Sequence, residues 1–233
     1  MSRTSRSNIP PASQEIPHIV DWLILLVVVG VSVVSIGATF LSGAFSASLS
    51  ADNVLSWHLV RAAGLTSYTL LAASTLWGLF LSSRILKNWS PGPLSLLLHV
   101  TVSWLAIVLA AAHAGLLVFD TYYNYTLKDL IVPFVGPYRP FAVGLGIAAA
   151  WLILAINISF GMRKLIGHRA WLWLHYTSYG AFALVTVHAL LAGTDATKPG
   201  MMLILGVFTV VIVALLSWRL LQPKSRQKTK NAV

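Results

Sequence analysis

The chain has 233 residues, of which 57% are hydrophobic and only 9% charged, where a soluble domain carries about a quarter charged residues. That balance excludes a soluble globular enzyme and points to a membrane protein. The formal charge of +10 argues against nucleic-acid binding once placed, because most of the cations fall in tails and connections between apolar runs.

Six apolar runs reach the roughly 20 residues that a spanning helix needs: Trp22–Leu41, Val54–Ser82, Leu94–Phe119, Phe141–Phe160, Leu172–Leu191 and Met201–Leu221. Backbone amides in lipid must be satisfied within the segment or in a closed barrel, and a barrel would show shorter, alternating segments. The expectation is an all-α membrane protein, a six-transmembrane-helix bundle over residues 21–221, with a tail at 1–20 and a basic tail at 222–233. The first run follows Arg3 and Arg6 and precedes the small residues of AFSAS, Ala44–Ser48. It resembles a signal peptide in layout but exceeds the roughly 7 to 15 residues of a signal core, so it is read as a span.

Twelve of the sixteen Lys and Arg lie in the N-terminal tail, the loops holding Arg84–Lys87 and Arg163–Arg169, or the stretch from Arg219 to Lys230. With six spans those regions share one side. The other side holds Lys128, Arg139 and Lys198 with Asp52, Asp120, Asp129 and Asp195. The bias sets both termini in the cytoplasm of a plasma (inner) membrane protein, and the basic C-terminal tail suits anionic lipid.

The longest connection, DTYYNYTLKDLIVPFVGPYRP (Asp120–Pro140), is rich in aromatics and prolines and is expected along the outer interface. Its NYT triplet is a glycosylation acceptor only in a eukaryotic secretory setting. Tyr138 and Arg139 mark it as the place to look for a substrate pocket. GLG at Gly144–Gly146 lies inside a span and is not a dinucleotide loop. The twelve residues after Leu221 are read as leaving no attached soluble catalytic domain.

Four of seven histidines fall in the third and fifth spans. His99 and His113 are about 21 Å apart along a helix axis and within about 40° of one face. His175 and His188 are separated by about 20 Å. Both spans run in the same direction, which puts His99 level with His175 and His113 level with His188. Two layers of paired imidazoles are what two six-coordinate b-type haems require. The absence of cysteine excludes thiolate clusters and covalent haem attachment. One detail fits poorly: thirteen steps leave His188 about 140° around from His175. Either the haems are offset or the fifth helix is distorted, and Gly180 is the residue that would admit a bend or a haem edge. Intramembrane histidines also hydrogen-bond between helices or line transport paths, so a haem-free six-helix transporter is the rival of another class.

His18 and His168 are read as solvated, and His58 as an interfacial residue or a contact of the outer haem or its acceptor. Arg61, one turn inside a span, needs an anionic partner such as a haem propionate, or a route to the headgroups. Trp104 and Phe182 lie between the two layers and are read as packing residues.

The stretches WHLVRAAGLTSYTLL (Trp57–Leu71), LHVTVSWLAIVLAAAHAGLLVFD (Leu98–Asp120), VPFVGPYRPFAVGLG (Val132–Gly146) and RAWLWLHYTSYGAFALVTVHALLAGTD (Arg169–Asp195) resemble the ferric reductase-like transmembrane family, whose membrane domain is shared with NADPH oxidases and ferric reductases. The likeness spans about residues 54–200, and its specific part is His-x13-His paired with His-x12-His. It implies two haem b groups, ligated by His99 with His175 and by His113 with His188, and electrons crossing from a cytoplasmic donor to an outer acceptor such as ferric iron. Larger relatives append flavin and NAD(P)H domains, so a separate flavoprotein, a quinone or a bound flavin would supply this chain. The chain is also similar to the haem-binding membrane subunit of methionine sulfoxide reductase, which implies the alternative of a dedicated cytochrome feeding a soluble reductase on the outer face.

Overall fold

The structure is a computed structural model and describes residues 54–83, 92–119 and 122–221. The expected span Trp22–Leu41, both tails, the basic loop Arg84–Lys87, Asp52 and Asp120 lie outside the described residues. Regular structure among the described residues is helical: α1 (Val54–Ser83), α2 (Gly92–Leu116, running into a 3-10 turn at Leu117–Phe119), α3 (Leu127–Ile131), α4 (Pro140–Ile166), α5 (His168–Tyr176), α6 (Ser178–Ala192) and α7 (Pro199–Leu221). Four of these, α1, α2, α4 and α7, are long and apolar enough to cross a membrane, as expected for elements whose surfaces are apolar nearly all round. Proline opens α4 and α7, where its missing N–H costs nothing. Gly167, at φ 83°, supplies the left-handed residue that separates α4 from α5.

The expected continuous span Leu172–Leu191 is instead two helices meeting at Thr177. There the backbone N–H of Thr177 bonds Leu174 O, three residues back, at 3.1 Å, and its hydroxyl donates to the same carbonyl at 2.6 Å. The anticipated distortion is present, but at Thr177; Gly180 sits inside α6 with open space where a Cβ would project.

The closest helix pairs are α1 with α2 and α4 with α6; α1 also touches α6 and α7, and α2 touches α4. Between membrane helices hydrocarbon gives no hydrophobic drive, so close packing and hydrogen bonds hold the bundle. Ser67 Oγ donates to Ala106 O at 2.8 Å, Ser74 and Ser103 share a bond of 2.6 Å, and Trp77 Nε1 donates to Ser95 O at 2.9 Å; all three join α1 to α2. Tyr68, at the centre of the core with Ala72, Leu79, Phe182, Leu205 and Ile212, reaches the Thr186 hydroxyl on α6 at 3.4 Å.

The connection before α4 folds back on α6. The Tyr138 hydroxyl donates to Ala192 O at 3.3 Å and the Arg139 guanidinium to Leu191 O. Both acceptors belong to the last turn of α6, whose carbonyls lack helical partners. The two residues marked for a pocket are thus used to cap the helix that carries His188. Trp151 Nε1 fastens the same connection by donating to Ile131 O at 2.9 Å, and the Phe134 ring lies where a Cβ on Gly144 would stand.

Within the connection, the Asp129 carboxylate accepts the Thr126 backbone N–H at 2.9 Å and the Thr126 hydroxyl at 2.7 Å. The hydroxyl first, and then the N–H, hold this exposed carboxyl below its ordinary value. A depressed carboxyl favours the folded arrangement above its unfolded pKa, and that contribution disappears as pH falls through the folded value. The Thr126 amide proton, followed by NMR in detergent micelles, is expected to titrate with a midpoint below about 3.9, the value for an unstructured aspartate. Asp129→Asn should abolish the transition. A midpoint at or above that value would refute the pairing.

Candidate functional site

The structure brings the four span histidines together as two pairs, in the arrangement expected from their spacing. The His99 and His175 rings lie 6.1 Å apart, centroid to centroid, with planes at 76°. The His113 and His188 rings lie 6.2 Å apart at 80°. The imidazoles meet although α2 is not closely packed on α5, which carries His175, or on α6, which carries His188, so each pair bridges a gap between two backbones.

Three of the four rings are oriented from behind by a neighbouring helix. His113 Nδ1 lies 2.7 Å from Val60 O, His99 Nδ1 3.1 Å from Ser74 O, and His188 Nδ1 2.9 Å from Ala142 O. A carbonyl only accepts, so Nδ1 carries the proton in each bond. In a neutral imidazole that leaves Nε2 as the bare nitrogen with a lone pair. This is how a backbone carbonyl commonly orients a metal-binding histidine.

Each of these carbonyls is followed four residues later by a glycine. Val60 precedes Gly64, Ser74 precedes Gly78 and Ala142 precedes Gly146. A Cβ on Gly64 would stand 2.8 Å from His113 Nδ1, one on Gly78 3.2 Å from His99 Cε1, and one on Gly146 2.7 Å from His188 Nδ1. The reason lies in helix geometry: Cβ atoms tilt toward the N-terminus, so residue i+4 overhangs the carbonyl of residue i. Only glycine leaves that carbonyl open to a second hydrogen bond, from a ring. The signal was present in the sequence, since Gly64 and Gly78 on α1 repeat the fourteen-residue spacing of His99 and His113 on the antiparallel α2. It also accounts for GLG, whose first glycine admits Phe134 and whose second admits His188.

His175 is held differently. Its ring stacks on Trp171 at 5.1 Å and 21°, and Trp171 in turn stacks on His168 at 5.8 Å. His168 is exposed, as expected, but stands at the end of this ring column. His58 is exposed on the first turns of α1. Phe182 is buried in the core at 4% exposure and packs on Tyr68 with centroids 5.7 Å apart, whereas Trp104, at the same height between the layers, is 41% exposed.

Arg61 finds its anionic partner within the protein. Its guanidinium pairs with the Asp195 carboxylate, which Lys198 also contacts at 2.8 Å. Asp195 is 16% exposed, so the desolvated carboxylate is matched by two cations, one of them next to Val60. The pair ties the start of α1 to the connection between α6 and α7, close to the His113–His188 level.

Compared with known protein families, curated proteins and solved structures, the chain matches none.

Ala is the better helix former by about 1 kcal/mol, so Gly→Ala in an unobstructed helix should stabilise. Gly206→Ala on α7, where a Cβ meets nothing within 4 Å, is the control for this. Gly64→Ala and Gly146→Ala must displace an imidazole and should destabilise by about 1–3 kcal/mol, with Gly78→Ala milder. Thermal unfolding in detergent checks the order; Gly64→Ala as stable as the control would refute the backing role.

Proposed function

We propose that the protein is a di-haem b transmembrane electron carrier, in which His99 with His175 and His113 with His188 hold one haem iron each. The observation that carries this is the spacing within the two pairs. Two metal–nitrogen bonds of about 2 Å each, with ring nitrogens about 1 Å from their centroids, place facing imidazoles about 6 Å apart, and both pairs stand at that separation. Among the described residues no group of three or more His, Cys, Asp or Glu is placed to hold a bare ion. Two nitrogens per level therefore suit a metal whose remaining ligands come from a macrocycle.

When bound, haem iron would supply reversible one-electron chemistry. The residues of the chain fix what surrounds it. Val60, Ser74 and Ala142 hold three ligands in the Nε2-basic tautomer, the glycines let those rings seat against the backbone, and the apolar helices keep water from the site. Arg61, paired with Asp195, is near enough to the His113 level to serve a propionate as a second anion. The charge bias of the loops puts the His99–His175 level toward the cytoplasm and the His113–His188 level toward the outer face. Electrons would enter from a flavoprotein, flavin or quinone and leave to an outer acceptor, ferric iron or a soluble reductase, across a six-span bundle with cytoplasmic termini.

Protein purified in detergent after expression with ample haem is expected to give a b-type reduced-minus-oxidised spectrum and two haems per chain by pyridine haemochrome. His113→Ala and His175→Ala should each remove one haem and leave the other. Wild-type protein without haem would overturn the proposal and favour the transporter.

A further inference from the structure

We infer that Trp171 is a cofactor-contacting residue: its ring holds His175, and its indole N–H is the hydrogen-bond donor for a carboxylate on the edge of the group bound between His99 and His175. This rests on the haem assignment above and assigns a residue that the histidine pattern does not.

The first observation is an asymmetry. Three ligand candidates are fixed through Nδ1 by carbonyls of neighbouring helices, while His175 lies nearly parallel to the Trp171 ring. The two residues are four apart on α5, the spacing that places side chains on one face.

The second is an orphan. Trp171 Nε1 is buried and has no hydrogen-bond partner among the described residues, an arrangement that is costly in a low-dielectric interior. The indoles of Trp77 and Trp151, by contrast, donate to Ser95 O and Ile131 O. The Thr209 hydroxyl is also unpartnered, but a hydroxyl in a helix can rotate onto a carbonyl of the preceding turn. An indole N–H is fixed in its ring plane and only donates, so it needs an acceptor brought to it.

The third is charge. From Pro140 to Ala192 the sequence contains no Asp or Glu, so neither α4, α5 nor α6 supplies a carboxylate. Cations are present: Arg163 lies over the Phe160 ring at 4.5 Å, and Phe160 is 5.9 Å from Trp171, with Lys164 and Arg169 exposed nearby in sequence. An anion arriving at Trp171 enters a positive field. Haem b carries two carboxylates on one edge of its ring, and that edge is an acceptor that α4, α5 and α6 do not supply.

Trp171→Phe keeps a stacking ring and removes only the N–H. Full-length protein, depleted of haem and titrated with haemin or with haemin dimethyl ester, separates the two roles. Haemin should bind the His99–His175 site about tenfold more weakly or worse in Trp171→Phe than in wild type, while the diester binds both alike. The His113–His188 site should take haemin normally in the variant, which reports that it is folded. Equal haemin affinity in wild type and variant, or the same loss for haemin and diester, overturns the inference while leaving bis-histidine ligation intact. Wild type taking up no haemin at either site overturns the ligation itself.

Discussion

An imidazole inside an apolar bundle has two nitrogens to satisfy, and much of this molecule follows from how one of them is dealt with. Hydrocarbon offers no partner, so the Nδ1–H of His99, His113 and His188 must find an acceptor on a neighbouring helix. The available acceptors are carbonyls already engaged in their own helix, which have a second lone pair but are overhung by the side chain four residues on. Removing that side chain is the remedy, and it is applied at Gly64, Gly78 and Gly146. The same glycines let α2 approach α1 and α6 approach α4, the two closest pairs in the bundle. Ring orientation and helix packing are therefore one arrangement.

The consequence is a division of labour among the helices. α1 backs both histidines of α2, and α4 backs His188, so α1 with α2 and α4 with α5 and α6 form two halves, each presenting imidazoles to the other. Contacts between the halves are fewer: Tyr68 with Phe182 and Thr186 in the middle, and Arg61 with Asp195 at one end. α2 also touches α4, and at the two levels the facing rings stand 6.1 and 6.2 Å apart, centroid to centroid.

Sequence periodicity carried the coarse features well. Continuous apolar runs define α1, α2 and α7 to within three residues, because hydropathy reads the length of a lipid-facing helix directly; α4 runs six residues past the expected Phe160, through the charged Arg163 and Lys164. The pairing of histidines by level was legible too, since rise per residue and direction are enough to place a side chain along a membrane normal. What surrounds the rings was not. The carbonyl partners are backbone atoms and leave no trace in residue type except the glycine four positions later. Arg61 announced its need for an anion but not that Asp195, 134 positions downstream by numbering, would meet it. Trp104 and Phe182 were equivalent by height and are opposite in burial, because height along a helix says nothing about facing.

The break at Thr177 shows how a local irregularity can be required by a global constraint. At about 100° per residue, thirteen steps carry His188 some 140° away from His175, and a straight helix would present only one of them to α2. A 3-10 step turns by about 120°, so each such step of tightening moves His188 about 20° toward the side of His175, a part of the offset. Such tightening weakens regular hydrogen bonding, a liability in lipid, where no water replaces a lost bond. Thr177 supplies a remedy locally: its hydroxyl and its N–H both serve the carbonyl of Leu174. A glycine at the break would have bent as readily and left that carbonyl with one donor fewer. The irregularity is thus stabilised at the residue where it occurs, and the two levels of imidazoles stay in register across α5 and α6.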